Sequence, residues 1–272
     1  MGFEPLFLTG AAGRLFALYF PPRGGERGDW GVAYVPPFAE EMNQSRRMAT
    51  LQARKLAAAG IGVLLLDPYG TGDSAGEFSE ARWDIWLADV GVALDFLEAR
   101  GLRPALWGLR LGGLLAVQAA AKQPDRIGRI VLWQPVSNGQ TFLTQFLRLR
   151  VAAAMSEVEP KETTSGLRAK LIEEGSLEVA GYELSSELAL AIEAAKLAAQ
   201  APDCAVVWFE VASRAEAPVP PGAQRVVDGW REAGVEVRAA TVVGERFWSI
   251  QEPAMVPALW DATVASWSDG RA

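Results

Sequence analysis

Residues 105–118, ALWGLRLGGLLAVQ, constrain this chain more than any other stretch. Ala105, Leu106 and Trp107 form an apolar run, which meets Gly108-Leu109-Arg110-Leu111-Gly112-Gly113. Small and apolar residues at helical spacing follow over residues 114–121. The pattern reads as a buried strand, a tight turn and the start of a helix. A sharp strand-to-helix turn brings backbone segments together, and only residues without Cβ fit beside the strained central position. That central position is Arg110.

The rest of the chain repeats the strand–helix rhythm. Residues 3–9 and 15–20 read as a hairpin, and residues 30–35 as a buried strand ended by Pro36-Pro37. The spacing predicts a helix over 45–59 closed by Gly60, then an apolar, β-branched strand over 61–67. A glycine-rich loop (68–76) leads to a helix over 80–100, with Trp83, Trp86, Leu87, Val90, Leu94 and Leu97 on one face. After the central strand and helix comes a strand over 127–133. The rhythm then breaks into helical pieces (140–155, 167–174 and 186–200) around an extended stretch, 177–184. It resumes with a strand over 206–211, a helix over 222–233, a strand over 235–243 and a helix over 256–267. Such alternation predicts an α/β fold with a doubly wound, mainly parallel sheet. Residues 1–135 and 201–272 are expected to form the core, and 136–200 a small helical cap inserted after the sixth strand.

Composition removes several function classes. The chain has 272 residues, half of them apolar, and a formal charge of −7. No basic cluster is dense enough to indicate nucleic acid. No apolar run reaches the roughly eighteen residues of a membrane span. The start, MGFEPLFLTG, lacks the positive and long apolar segments of a signal peptide, so a cytoplasmic location is expected, in keeping with the single Cys204. With one cysteine and no histidine, no zinc or other transition-metal site is expected; an all-carboxylate magnesium or calcium site stays open, although no Asp/Glu spacing resembles a calcium loop, and no cofactor is called for.

The spacing Gly108-x-Arg110-x-Gly112 matches the nucleophile elbow of α/β-hydrolases, in which serine holds the middle position. With the other pieces placed, the chain resembles that superfamily over nearly its full length. VPPFAEEMNQSRRM, LLLDPYGTGDSAGEF, GLRLGG and GERFWSIQE together look like the exosortase A system-associated hydrolase family of the second type. That resemblance implies proteins encoded beside exopolysaccharide and PEP-CTERM sorting genes. Carried over by position, the nucleophile falls on Arg110, the acid on Glu216 and the histidine on Phe247, with Trp248 next. Backbone N–H groups of Leu111 and of Phe38 or Ala39 stand where the resemblance places an oxyanion hole.

The chemistry departs from the family pattern. Arginine stays protonated and has no lone pair for attack, and a serine nucleophile needs a base that a histidine-free chain lacks. The expectation is a pseudo-hydrolase that binds a small anionic or acyl ligand, or pairs with an active α/β-hydrolase or another exopolysaccharide-system protein. The alternative is a genuine hydrolase, esterase or acyl transferase with a non-standard site. Arg110 has two readings: an anion receptor at a helix start, or an internal ion pair with Glu216, Glu41 or Asp73. The ion pair weighs more, because a buried, unpartnered arginine costs several kcal/mol. The ligand-binding set under either reading is Arg110, Leu111, Phe38, Ala39, Glu41 and Trp248. Ser74 in Gly72-Asp73-Ser74-Ala75-Gly76 fits a nucleophile pattern superficially but reads as structural, as does Cys204.

Overall fold

A computed structural model describes residues 2–24, 29–154, 162–214, 217–250, 252 and 254–267. The chain runs β1 (Glu4–Thr9), β2 (Arg14–Phe20), β3 (Trp30–Val35), α1 (Glu40–Ala58), β4 (Gly62–Leu66), α2 (Trp83–Glu98), β5 (Arg103–Leu109), α3 (Leu111–Lys122) and β6 (Arg129–Trp133). After β6 come α4 (Gly139–Ala154), α5 (Thr164–Glu174), β7 (Ser176–Val179), β8 (Tyr182–Ser185) and α6 (Ser186–Ala194). The last part is β9 (Ala205–Ala212), α7 (Pro221–Glu232), β10 (Val237–Val243) and α8 (Pro257–Ser266).

Eight strands form one sheet in the order β1-β2-β4-β3-β5-β6-β9-β10. β1 pairs antiparallel with β2 and β2 with β4, and every other pairing is parallel. Parallel strands need crossovers, which the helices supply, and so both faces are covered. One apolar layer joins the sheet to α2, α3 and α7, through residues such as Leu106, Leu114 and Trp230. The other joins it to α1 and α8, through Trp107, Trp133, Met48 and Trp260. The sequence expectation of an α/β-hydrolase fold with a mainly parallel sheet is met.

Between β6 and β9 the chain leaves the sheet. The extended stretch is a two-stranded hairpin, β7 against β8, turned by Ala180 and Gly181 with φ of 52° and 84°. Asn138 bridges Lys196, and the Gly139 N–H donates to the Ala195 carbonyl at 2.9 Å, closing the base of this insertion. Farther out, Tyr182 donates to Glu40 at 3.0 Å, and Arg82 reaches Ser185 at 3.1 Å and Glu187 at 3.3 Å. The insertion thus sits over the carboxyl ends of β3 and β4 as a cap.

Several boundaries differ from the sequence reading, two of them with consequences. α1 begins at Glu40 rather than at residue 45, because Ala39 turns the chain with φ 52° and ψ −129° and no glycine marks the turn. Glu40 and Glu41 therefore occupy the first helical turn, where carboxylates suit the helix dipole. The helix after the glycine-rich loop begins at Trp83, because Phe78–Glu80 form a separate 3₁₀ turn followed by extended Ala81 and Arg82.

Candidate functional site

β5 ends at Leu109, and Arg110 turns the chain into α3 with φ 54° and ψ −120°. Its N–H donates to the Trp133 carbonyl at 3.0 Å, and its own carbonyl accepts from Gly113 and Val136 at 3.0 Å each. The glycines fit the turn sterically. A Cβ on Gly108 would lie 2.5 Å from the Gly113 Cα, and one on Gly112 would lie 2.2 Å from the Val35 carbonyl oxygen. The elbow geometry is intact with arginine at its apex.

The apex side chain is held from three sides. Nε of Arg110 donates to Glu41 Oε1 at 3.2 Å, Nη1 reaches the Gln134 carbonyl at 3.4 Å, and the guanidinium lies 5.4 Å from the Trp248 ring centre. Arg110 and Glu41 side chains are 17% and 21% exposed, so the pair is neither a surface bridge nor fully dry. Burial pushes the Glu41 carboxyl above the usual carboxylate range, and the arginine pulls it back. Glu41 Oε2 is buried and has no hydrogen-bond partner among the described residues. Among the described residues, the acid paired with Arg110 is Glu41. Asp73 makes no ion pair with Arg110; its backbone N–H donates to Asp67 Oδ2 at 3.1 Å, and Asp67 itself takes both arms of Arg46. Glu216 lies outside the described residues.

The loop after β10 sends its two aromatic residues to different neighbours. Phe247 is 1% exposed and packs on Trp133 and Trp248, with ring centres 6.2 and 5.0 Å away, in the layer beneath α1 and α8. Trp248, one residue on, carries the ring that faces Arg110. Trp133 is core as well: it is fully buried, and its Nε1 donates to Thr263 at 2.9 Å.

Phe38, Ala39 and Leu111 gather on the near side. With Gly112, Met42 and Trp86 they line a recess of about 20 Å³, room for roughly one water-sized oxygen. The N–H groups at a helix start have no intrahelical acceptor, so such an oxygen would meet donors there. Phe38 packs edge-on against Phe78, Trp86, Phe142 and Phe146. Ser74 is structural: its hydroxyl donates to the Asp67 carbonyl at 2.5 Å and accepts from the Phe16 N–H at 2.8 Å. Cys204 is half-buried, and burial pushes its thiol up to about 12, too high for a nucleophile near neutrality.

Above the elbow a cleft of about 630 Å³ opens between sheet and cap. Phe38, Phe142, Phe146, Leu149 and Trp248 give it an apolar lining, with Glu40, Glu41, Arg110 and Arg246 as charged groups. A second cleft of about 930 Å³ lies beyond the ends of β9 and β10, and Arg246 and Ser249 line both. Sequence reasoning missed Glu210 and Gln134 there. Glu210 is 4% exposed, accepts from Trp208 Nε1 at 2.7 Å, and is pushed up by burial, while Arg110, the Trp208 bond and the Gln134 side chain pull it back. Gln134 Oε1 accepts from the Val211 N–H at 2.7 Å. The signal was one acid in an otherwise apolar strand, AVVWFEVA. Among the described residues no cluster of three potential metal ligands exists, and no helix is long and apolar enough to cross a membrane.

No curated protein matches the chain in sequence. The fold matches solved structures: Est1E from Butyrivibrio proteoclasticus with ferulic acid bound (TM-score 0.68, 15% identity, 97% of this chain and 96% of that one). A hydrolase from Agrobacterium vitis S4 gives a TM-score of 0.61 at 17% identity over 97% and 98% of the two chains. Proline iminopeptidase from Mycobacterium smegmatis gives 0.62 at 11% identity over 97% and 98%. At these identities the likeness speaks for the fold alone. Residues 41–198, more than half of the chain and including both Glu41 and the elbow, match the family model of serine aminopeptidase, S33. The chain therefore belongs to the serine aminopeptidase S33 family, within the α/β-hydrolase superfamily.

Proposed function

We propose that this chain is a non-hydrolytic member of its family, a pseudo-hydrolase that binds a small acyl or anionic ligand in the cleft beneath the cap. The observation that carries the reading is Arg110 at the elbow apex, tied to Glu41, in a chain without histidine. Neither group can act as the nucleophile–base pair of acyl transfer. Glu41 could accept a proton on its unpartnered Oε2, but the apex residue beside it, Arg110, is no nucleophile to activate. The four motifs resembling the exosortase A system-associated family support a place beside exopolysaccharide proteins in the cytoplasm, with an active hydrolase or another component of that system as partner.

A second reading, a hydrolase or acyl transferase with a non-standard site, is favoured by one feature. The strained elbow and the recess beside Leu111 and Ala39 are both kept, and oxyanion donors alone give residual acceleration. A panel of p-nitrophenyl esters of increasing chain length separates the two. The binding reading predicts turnover equal to buffer. Turnover that Arg110→Ala abolishes would overturn it.

A further inference from the structure

We infer that the ligand is an amphiphile, with its apolar end beneath the cap and an anionic group on Arg246, at the wall shared by the two clefts. The inference rests on the binding reading above and adds the chemistry of the ligand. The cap cleft, at about 630 Å³, lies in the roughly 300–1,000 Å³ range of small-molecule sites. Part of its lining is aromatic and aliphatic, its acids are Glu40 and Glu41, and Leu149 is 51% exposed, an apolar side chain left in water.

Charge decides where the other end of the ligand goes. Three arginines line the two clefts: Arg110, Arg214 and Arg246. Arg110 is paired with Glu41, whose other oxygen lacks a partner among the described residues, so an anion placed there would meet an arginine already neutralised by a neighbouring carboxylate. Arg246 is exposed and belongs to both clefts, and neither it nor Arg214 has a carboxylate within ion-pair distance among the described residues. An arginine fork with no carboxylate partner among the described residues suits a carboxylate or phosphate. Glu210 and Glu245 line the outer cleft too. Glu210 is withdrawn against Trp208, with only 4% of its surface exposed. Glu245 is exposed beside Arg246 and has no ion pair among the described residues. It limits how many anionic charges the outer cleft accepts, and a single one at the shared wall fits best. Arg110 is then the fixed floor of the site, and Arg246 the residue that reads charge.

The test is calorimetric titration of the intact protein with dodecanoate, dodecyl phosphate and dodecanol below their micellar range. The wild type is expected to bind the two anions about tenfold tighter than the alcohol, the equivalent of about 1.4 kcal/mol. Arg246→Gln removes that preference, and Arg246→Lys restores part of it; the side chain is exposed, so neither change disturbs the core. Leu149→Asp weakens all three probes together. Equal binding of dodecanol and dodecanoate by the wild type overturns the charge assignment and leaves the binding reading standing. Discrimination unchanged in Arg246→Gln overturns the assignment to that residue. Failure of all three probes to bind overturns the inference, and only ester turnover in the same protein reaches the reading beneath it.

Discussion

Two turns at neighbouring strand ends have nearly the same backbone and opposite visibility. Ala39 follows β3 with φ 52° and ψ −129°; Arg110 follows β5 with φ 54° and ψ −120°; each opens a helix. They also touch, since the Gly112 backbone lies against the Val35 and Pro36 carbonyls just before the Ala39 turn. The Arg110 turn is announced by three glycines, whereas the Ala39 turn is built from Pro-Pro-Phe-Ala with none. The pair teaches that a strained elbow can be folded around an apex side chain that cannot attack a carbonyl. Here the first turn supplies Glu41, which neutralises the arginine that the second turn presents.

The largest expected effect comes from separating the two turns. Gly112→Ala drives a Cβ into the Val35 and Pro36 carbonyls, 2.2 and 2.4 Å away, with no flexible group to yield. Overpacking of this kind costs about 3 kcal/mol, readable by denaturant unfolding; a change below about 1 kcal/mol would mean that the turns are not packed as described. Next, Arg110→Ala leaves the Glu41 carboxylate without its cation, a loss of about 2 kcal/mol for a partly buried group. Burial raises the folded Glu41 pKa, and more so without the arginine. The penalty of Arg110→Ala should therefore be largest near neutral pH and shrink as the pH falls and Glu41 takes up a proton.

Asp89 must be separated from Glu41 in any pH series. It is 1% exposed, accepts from the Tyr69 N–H at 2.8 Å through one oxygen, leaves the other unpartnered, and is pushed up to about 6 by burial. Its folded value exceeds the unfolded value of about 3.9, so the folded state binds the extra proton between them. Stability is then lost as pH rises through that window, by on the order of 2 kcal/mol, and Asp89→Asn flattens this slope. The smallest effect tests the turns themselves. Glycine accepts a positive φ freely, so Arg110→Gly should be more stable than Arg110→Ala by about 1 kcal/mol. Ala39→Gly should gain by the same amount over the wild type, less whatever its buried methyl contributes. Unequal gains beyond that difference would mean that the two turns are not strained alike.

The same pair explains what was legible in the sequence. Gly108, Gly112 and Gly113 are required by contacts under 3 Å, so their spacing disclosed the elbow and the arginine at its apex. Glu41 was named, but its role depended on the helix start at residue 40, which a non-glycine turn hides from pattern reading. Positional transfer put the histidine on Phe247, yet an irregular loop after β10 turns that ring into the core and leaves Trp248 facing the elbow. Glu210 and Arg246 line one cleft because loops and the ends of separate strands meet there, which no local period records.

The central claim is that this elbow, though folded as in a hydrolase, has no nucleophile. Labelling of the purified protein with a fluorophosphonate probe, mapped by mass spectrometry, tests it most directly. The account predicts no specific adduct on any serine, Ser74 included, since its hydroxyl is engaged at both ends. Stoichiometric labelling of a single serine, with ester turnover that disappears on its replacement, would contradict it.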